Sequence, residues 1–183
     1  MKLDFITSNK HKYEEISAYL SERHIECHWI QESYEEIQGD TTEEISRDSA
    51  MKLSRQRSEP FFMEDTGLYI HALKGFPGPY SSFVAKTIGN TGILKLMDDM
   101  ERSATFLTVI SYWDGKQIHS FEGSVDGEIT HEIRGNSGFG YDPIFMPSGS
   151  QNTLGEMDIS QKSRFSHRIN ALDKFLFYLK SKE

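Results

Sequence analysis

Two adjacent acids, Glu64 and Asp65, directly follow the apolar run FFM and precede a loop rich in Gly and Pro. A carboxylate at the end of a buried strand costs free energy unless it is paired, hydrogen-bonded or bound to a metal. In open α/β sheets such carboxylates commonly hold Mg²⁺, which prefers oxygen ligands. An acidic pair that caps a turn is the structural alternative, and the pattern alone leaves both open.

The segment TSNKHK at positions 7–12 has the residue types of an anion site. A strand that ends in small polar residues and turns into a helix presents free backbone N–H groups and the positive end of the helix dipole. Lys10 and Lys12 add positive charge to the same turn. The glycines of a Walker sequence are missing, so a plain helix cap with solvated lysines remains the alternative.

A third segment, GFGYDP at positions 138–143, combines glycines with Phe139, Tyr141 and Asp142. Glycines allow close backbone approach, an aromatic ring can stack on a nucleobase, and a carboxylate accepts hydrogen bonds from base N–H groups. A tight turn with its aromatic side chains in the core is the alternative.

A basic group, Lys162, Arg164, His167 and Arg168, lies just before and inside the last predicted helix. Positive side chains are unfavourable beside a helix N-terminus because of the helix dipole. The group therefore indicates an anionic or hydrogen-bonding partner.

The first half of the chain alternates short apolar runs with longer amphipathic ones. Strands are predicted over residues 2–6, 25–30 and from 61, with helices over 10–23 and 42–57 between them. We expect Asn9 or Ser8 to cap the first helix, and Thr41 with Glu44 to form a capping box for the second. This order predicts an α/β domain with some parallel pairing.

The second half predicts an antiparallel section. Two short helices over 83–100 break around Gly89-Asn90, and Asp114-Gly115 predicts a hairpin of strands 104–113 and 116–125. Residues 127–133 are expected to add a third strand, and residues 134–145 to be irregular. The closing helix has apolar residues at helical spacing on one face.

Composition excludes several classes of protein. The net charge of −8 argues against a protein that binds a nucleic-acid polymer, although local lysines or a bound cation can attract a small anion. No apolar run approaches the length of a membrane span. The single cysteine, Cys27, is typical of a reducing cytoplasm. No long linker interrupts residues 1–183, so we expect one domain.

Together these segments resemble the inosine triphosphate pyrophosphatase family, whose members remove non-standard purine nucleotides. TSNKHK resembles the family's T-x-N-x-x-K, and EDTGL with GFPGPYS resembles its D-[ST]-G-L and G-x-PG-x-YS. GFGYDPIF is close to its most specific signature, and KSRFSHR resembles K-x-x-x-SHR. The resemblance covers nearly the whole chain in the right order, and NTGILKLM and VISYW resemble the archaeal branch.

The resemblance implies hydrolysis of ITP, dITP or XTP to the monophosphate and pyrophosphate, with Mg²⁺ and with Mn²⁺ as a possible substitute. It implies a homodimer and an elongated, two-lobed α/β fold around a long mixed sheet with a central substrate cleft. Asp65 would be general base and metal ligand, and Glu36 the second metal ligand. The residues assigned to the substrate are Thr7, Ser8, Asn9, Lys10, His11, Lys12, Thr66, Phe139, Gly140, Tyr141, Asp142, Lys162, His167 and Arg168.

Departures from the family pattern are small. Ser8 stands where many members have Gly, and Thr66 where many have Ser. Lys52 is the candidate for one further family lysine. We expect Glu64 to point to the opposite face of the strand from Asp65, because neighbours in a strand alternate sides.

Two other functions fit parts of this pattern. A Maf-type nucleotide pyrophosphatase would share the fold, but the SHR and FGYDP motifs argue against it. A nucleotide-binding protein without catalysis is the other alternative, and the intact Glu36, Asp65 and Lys12 argue against that.

Overall fold

The computed structural model describes residues 1–182. Its strands are β1 (Lys2–Ile6), β2 (Glu26–Ile30), β3 (Phe61–Ile70), β4 (Pro77–Gly78), β5 (Ser103–Trp113), β6 (Ile118–Ile129) and β7 (Phe145–Pro147). Its α-helices are α1 (Lys10–Ser21), α2 (Thr42–Ser54), α3 (Ser81–Thr87), α4 (Gly89–Leu96), α5 (Ile159–Ser163) and α6 (His167–Lys180).

The strands form one mixed sheet in the order β2-β1-β3-β5-β6-β7, with β4 paired to β3. β1 pairs in parallel with both β2 and β3, whereas β3–β4 and β6–β7 are antiparallel. The α/β class with partial parallel pairing, predicted from the order of apolar runs, is confirmed.

The chain divides into two compact units. The first unit comprises Met1–Asp65, Thr108–Gly123 and the chain from Arg168 onward, and the second comprises Thr66–Leu107 and Ser124–His167. β3, β5 and β6 each contribute residues to both units. The expectation of one domain over residues 1–183 stays a prediction.

The first unit buries apolar residues on two faces of its strands. Phe5 and Phe62 stack at 4.6 Å between ring centroids in a cluster with residues of α1 and α6. Phe61 and Met63 belong to a second cluster with Ala50 and Leu53 of α2. Residues of β3 therefore alternate between α1 and α6 on one side and α2 on the other, as a strand buried on both faces requires.

The second unit has a single large apolar cluster. It gathers Leu68 and Ile70 of β3, Ile93 of α4, and Phe106 of β5. The loop between β7 and α5 adds Leu154 and Met157.

Local signals located the first two helices correctly. The Asn9 side chain accepts from the backbone N–H groups of His11 and Lys12, and Thr41 accepts from the N–H of Glu44. The Glu44 carboxylate accepts from the N–H of Asp40 at 3.1 Å, one residue before the position that the predicted capping box assigns. Both helices end earlier than expected, at Ser21 and Ser54.

The hairpin at Asp114-Gly115 and the break between α3 and α4 are confirmed. The predicted third strand over 127–133 is wrong, because residues 127–129 continue β6. β7 takes the third position, since Gly127 to Ile129 pair with Phe145 to Pro147. Within residues 1–182, no helix has both the length and the apolar character that crossing a membrane requires.

Candidate active site

Asp65 lies in β3 on the side that faces α2, and the pKa of its carboxyl group is far above the usual value for an aspartate. The pKa of Asp65 is raised to about 7, mainly by burial and also by the charges of Glu36 and Glu64. The charge of Lys12 and a hydrogen bond from Ser46 of α2 lower the same pKa. Its Oδ2 atom is buried and has no hydrogen-bond partner among residues 1–182. A buried carboxylate in this condition is typical of a functional site.

Glu64, the neighbouring residue, lies on the other face of β3, toward α1 and α6. Its side chain is 1% exposed, and its Oε1 accepts from Lys12 Nζ at 2.9 Å and from Arg168 Nε at 3.3 Å. Arg168 is also 1% exposed and donates to Glu15 of α1. The anionic partners indicated by the position of Arg168 at the start of α6 thus include two carboxylates of the protein itself.

The TSNKHK segment forms the turn from β1 into α1. Thr7 Oγ1 accepts from the backbone N–H of Asn9 at 3.1 Å. Asn9 Oδ1 in turn accepts from the N–H groups of His11 and Lys12. Ser8 is exposed. The cap therefore uses two of the N–H groups that an anion could otherwise bind.

The side chains of this turn point in different directions. Lys10 and His11 lie close to Glu14, at 3.3 and 3.5 Å, on the exposed side of α1. The Lys12 side chain is only 17% exposed and also donates to the backbone oxygen of Glu64 at 3.2 Å. Of the cations in this segment, Lys12 is the one that the fold brings to the two carboxylates of β3.

The loop between β2 and α2 adds an acid and an aromatic ring to the same region. Glu36 is exposed in this loop, and its charge raises the pKa of both Asp65 and Tyr34. Burial is the main reason that the pKa of Tyr34 lies well above its usual value, and the charges of Asp65 and Glu64 raise it as well. Glu36 is thus close enough to Asp65 for its charge to act on that carboxylate, and its role as a metal ligand stays a prediction.

These residues fit a magnesium ion. Residues 1–182 contain no group of three or more His, Cys, Asp or Glu side chains arranged to hold a metal. Mg²⁺ does not require such a group, because it commonly binds one or two carboxylates together with substrate phosphates and water. A divalent cation would supply a partner for the Oδ2 of Asp65 and would reduce the repulsion between Asp65 and Glu36.

The second unit holds a separate polar cluster in the turn after Gly138. Asp142 Oδ2 accepts from Lys162 Nζ at 2.6 Å and from the backbone N–H of Phe139 at 2.8 Å. Lys162 Nζ also lies 4.9 Å from the centroid of the Phe139 ring. A Cβ on Gly138 would lie 2.1 Å from Asp142 Oδ2, and the residue has a φ of +74°, so the turn needs glycine there.

The remaining predicted substrate residues of the second unit differ in their exposure. Tyr141 donates to the backbone oxygen of Ser81 at 2.9 Å inside the apolar cluster, and burial raises its pKa. His167 is buried with its ring stacked on Phe106 at 4.6 Å. Thr66 is half-buried in β3, and Gly140 is exposed and accepts from Asn90. Their assignment to the substrate stays a prediction.

Several residues of the site were not found from the sequence. Ser46, Glu15 and Tyr34 belong to segments that show no motif, and only the fold brings them to β3. The helical position of Glu15, three residues after Lys12 on α1, is the one available signal. Lys52, the candidate for a further family lysine, pairs with Asp48 on α2 at 2.8 Å.

Comparisons with known proteins show the family to which the chain belongs. The model of the Ham1 family matches residues 3–178. A dITP/XTP pyrophosphatase of Thermococcus kodakarensis is 49% identical over 181 residues, covering 98% of both chains. One of Korarchaeum cryptofilum is 52% identical over 165 residues, covering 90% of this chain and 88% of the relative. Both relatives are archaeal, as the sequence predicts.

Solved structures give the same result. The Ham1 protein of Staphylococcus aureus superposes with a TM-score of 0.84 at 27% identity, covering 100% of both chains. A HAM1 protein of Coxiella burnetii gives a TM-score of 0.84 at 31% identity, covering 99% of both chains.

Proposed function

Because the chain belongs to the Ham1 family, we propose that it hydrolyses dITP, XTP and ITP to the monophosphate and pyrophosphate. The names of the curated relatives support the substrate class. The observation that carries the proposal is the state of Asp65, a carboxylate with a buried, unpartnered oxygen and a pKa of about 7. A general base works best with a pKa near the operating pH.

Asp65 and Glu36 are the residues that would hold Mg²⁺ or, as a substitute, Mn²⁺. When bound, the metal would neutralise charge on the triphosphate oxygens. The chain's own residues do the rest. Asp65 accepts a proton from the water that attacks the α-phosphorus, and Lys12 with the N-terminus of α1 offsets the charge of the departing pyrophosphate.

The second unit is proposed to bind the nucleobase of the substrate. The Phe139 ring, half-buried beside Lys162, offers a face for stacking. To select purines with a keto oxygen, the protein needs hydrogen-bond donors that face this oxygen. An exocyclic amine in the same position would leave such a donor without an acceptor. Lys162 and His167 of the second unit carry N–H groups for this. Arg168 of the first unit donates to Glu64 and Glu15, and its assignment to the substrate stays a prediction.

A nucleotide panel tests the proposal. Purified protein with Mg²⁺ is offered dITP, XTP, ITP, dGTP and ATP, and pyrophosphate is measured separately from orthophosphate. We expect pyrophosphate from dITP, XTP and ITP and little product from dGTP and ATP. Orthophosphate as the first product, or equal rates on all five nucleotides, would contradict the proposal. A homodimer and a cytoplasmic location stay predictions, checked by light scattering and by cell fractionation.

A further inference from the structure

Glu64 binds two cations through a single carboxylate oxygen. Lys12 Nζ approaches its Oε1 from α1, at 2.9 Å, and Arg168 Nε approaches the same oxygen from α6, at 3.3 Å. The Glu64 side chain is 0% exposed. Solvent therefore does not screen these contacts, and a charge there is stable only with well-placed partners.

Glu64 also fixes the direction of the Lys12 ammonium group. An ammonium has three N–H donors, and Lys12 uses two of them on Glu64, one on the side chain and one on the backbone oxygen. A flexible lysine held at two points has lost most of its rotational freedom. Its remaining N–H is thereby directed, and its charge is close enough to Asp65 to lower the pKa of that carboxyl.

Arg168 does not depend on Glu64 alone to balance its charge. Arg168 has a second carboxylate partner in Glu15, so its charge stays balanced within α1 and α6. Lys12, in contrast, has Glu64 as its ion-pair partner within 4 Å among residues 1–182. The charge of Lys12 also lowers the pKa of Asp65, so Asp65 is an acid with which Lys12 could pair without Glu64.

We infer that Glu64 is a positioning residue for the proposed reaction, which holds the Lys12 ammonium toward the phosphates and away from Asp65. The inference rests on the proposed function, since it assigns Lys12 to the triphosphate. Glu64 itself touches no substrate and acts through Lys12.

The Glu64→Gln variant tests this role with a change of charge and almost none of volume. Lys12 is then released to pair with Asp65, so we expect kcat on XTP to fall at least about tenfold. KM should rise as well, because an ammonium group that pairs with Asp65 no longer faces the phosphates. A fall in stability alone would leave kcat of the folded protein unchanged.

A double-mutant cycle separates positioning from general damage. In a Lys12→Met background, Glu64→Gln should have no further effect on kcat, because the residue through which it acts is gone. Glu15→Gln is the matched control, since it removes the other carboxylate of the same buried cluster and should show no coupling to Lys12→Met. A smaller fall in kcat, an unchanged KM, or an equal fall in kcat in the Lys12→Met background each overturns the inference.

Two further measurements keep the result decisive. If Glu64→Gln does not fold, as judged by circular dichroism, the same cycle is run with Glu64→Asp, which keeps the charge but shortens the reach to Lys12. If the wild-type protein hydrolyses no nucleotide, the proposed function fails and the inference is judged on binding of inorganic triphosphate by calorimetry. Binding at least about threefold weaker in Glu64→Gln, with no difference in the Lys12→Met background, supports it, and any other pattern overturns it.

Discussion

Two aspartates, Asp65 in the first unit and Asp142 in the second, are both influenced by a lysine but are held in opposite ways. Asp142 accepts from Lys162 Nζ and from a backbone N–H through one oxygen, and it is 3% exposed. Asp65 has an oxygen that is buried without a partner among residues 1–182, and its pKa is raised to about 7. Asp142 stabilises a turn, whereas the unpartnered Oδ2 of Asp65 is left available for a ligand or a proton.

The first prediction concerns Asp65, the aspartate with the unpartnered oxygen. Asp65→Asn removes the proposed base while keeping the shape of the side chain, so kcat on XTP should fall about a thousandfold. Steady-state kinetics measure the effect, with Asp173→Asn on the exposed side of α6 as the control that keeps wild-type turnover. Turnover within a few-fold of the wild type in Asp65→Asn would remove Asp65 from the base role.

The second prediction concerns Asp142 and removes its ion pair with Lys162. Lys162→Met leaves the buried Asp142 without its ion-pair partner, which should cost about 3 kcal/mol of unfolding free energy. That cost corresponds to a fall in Tm of roughly 6–12 °C for a chain of this size. Calorimetry compares it with Lys52→Met, whose partially exposed pair with Asp48 should contribute less than about 1 kcal/mol. Equal shifts in the two variants would contradict a structural role for the Asp142–Lys162 pair.

The third prediction uses the sign of the Asp65 pKa shift. Its pKa is higher in the folded protein than the usual 3.8, so the folded state binds more protons and loses stability as pH rises from about 4 through about 7. Without Mg²⁺, Asp65→Asn should therefore stabilise the protein by about 4 kcal/mol at pH 8 and by nothing below about pH 4. Urea unfolding at both pH values measures this, and a gain that does not depend on pH would refute the assigned cause.

The fourth prediction concerns the ring beside Lys162 and has the smallest expected effect. Phe139→Leu keeps apolar volume but removes the aromatic face, so KM for XTP should rise about fivefold with kcat little changed. Tyr80→Leu, an exposed aromatic of the same unit, serves as the control. An unchanged KM would mean that the nucleobase does not stack on the Phe139 ring.

Much of the fold was readable from the sequence because its signals are local. Asn9, Thr41 and Asp114-Gly115 each determine a cap or a turn within a few residues of themselves. The third strand of the antiparallel section was not readable, because β7 pairs with the end of β6 across a long irregular loop. No local pattern distinguishes that pairing from a continued meander.

In the candidate site, too, local features could be predicted from the sequence, whereas contacts between distant segments could not. The alternation of β3 correctly separated Glu64 from Asp65, since strand geometry is local. The ion pair between Glu64 and Arg168 joins residues 104 positions apart, so only the packing of α6 against β3 reveals it. The unpartnered oxygen of Asp65 depends likewise on α2 and on the loop that carries Glu36 and Tyr34.

The most direct test of the central claim is the position of bond cleavage. Hydrolysis of XTP is run in water labelled with heavy oxygen, and the products are separated and analysed by mass spectrometry. Attack on the α-phosphorus predicts one labelled oxygen in the monophosphate and none in pyrophosphate. Label in pyrophosphate, or in orthophosphate released from the end of the chain, would contradict the account.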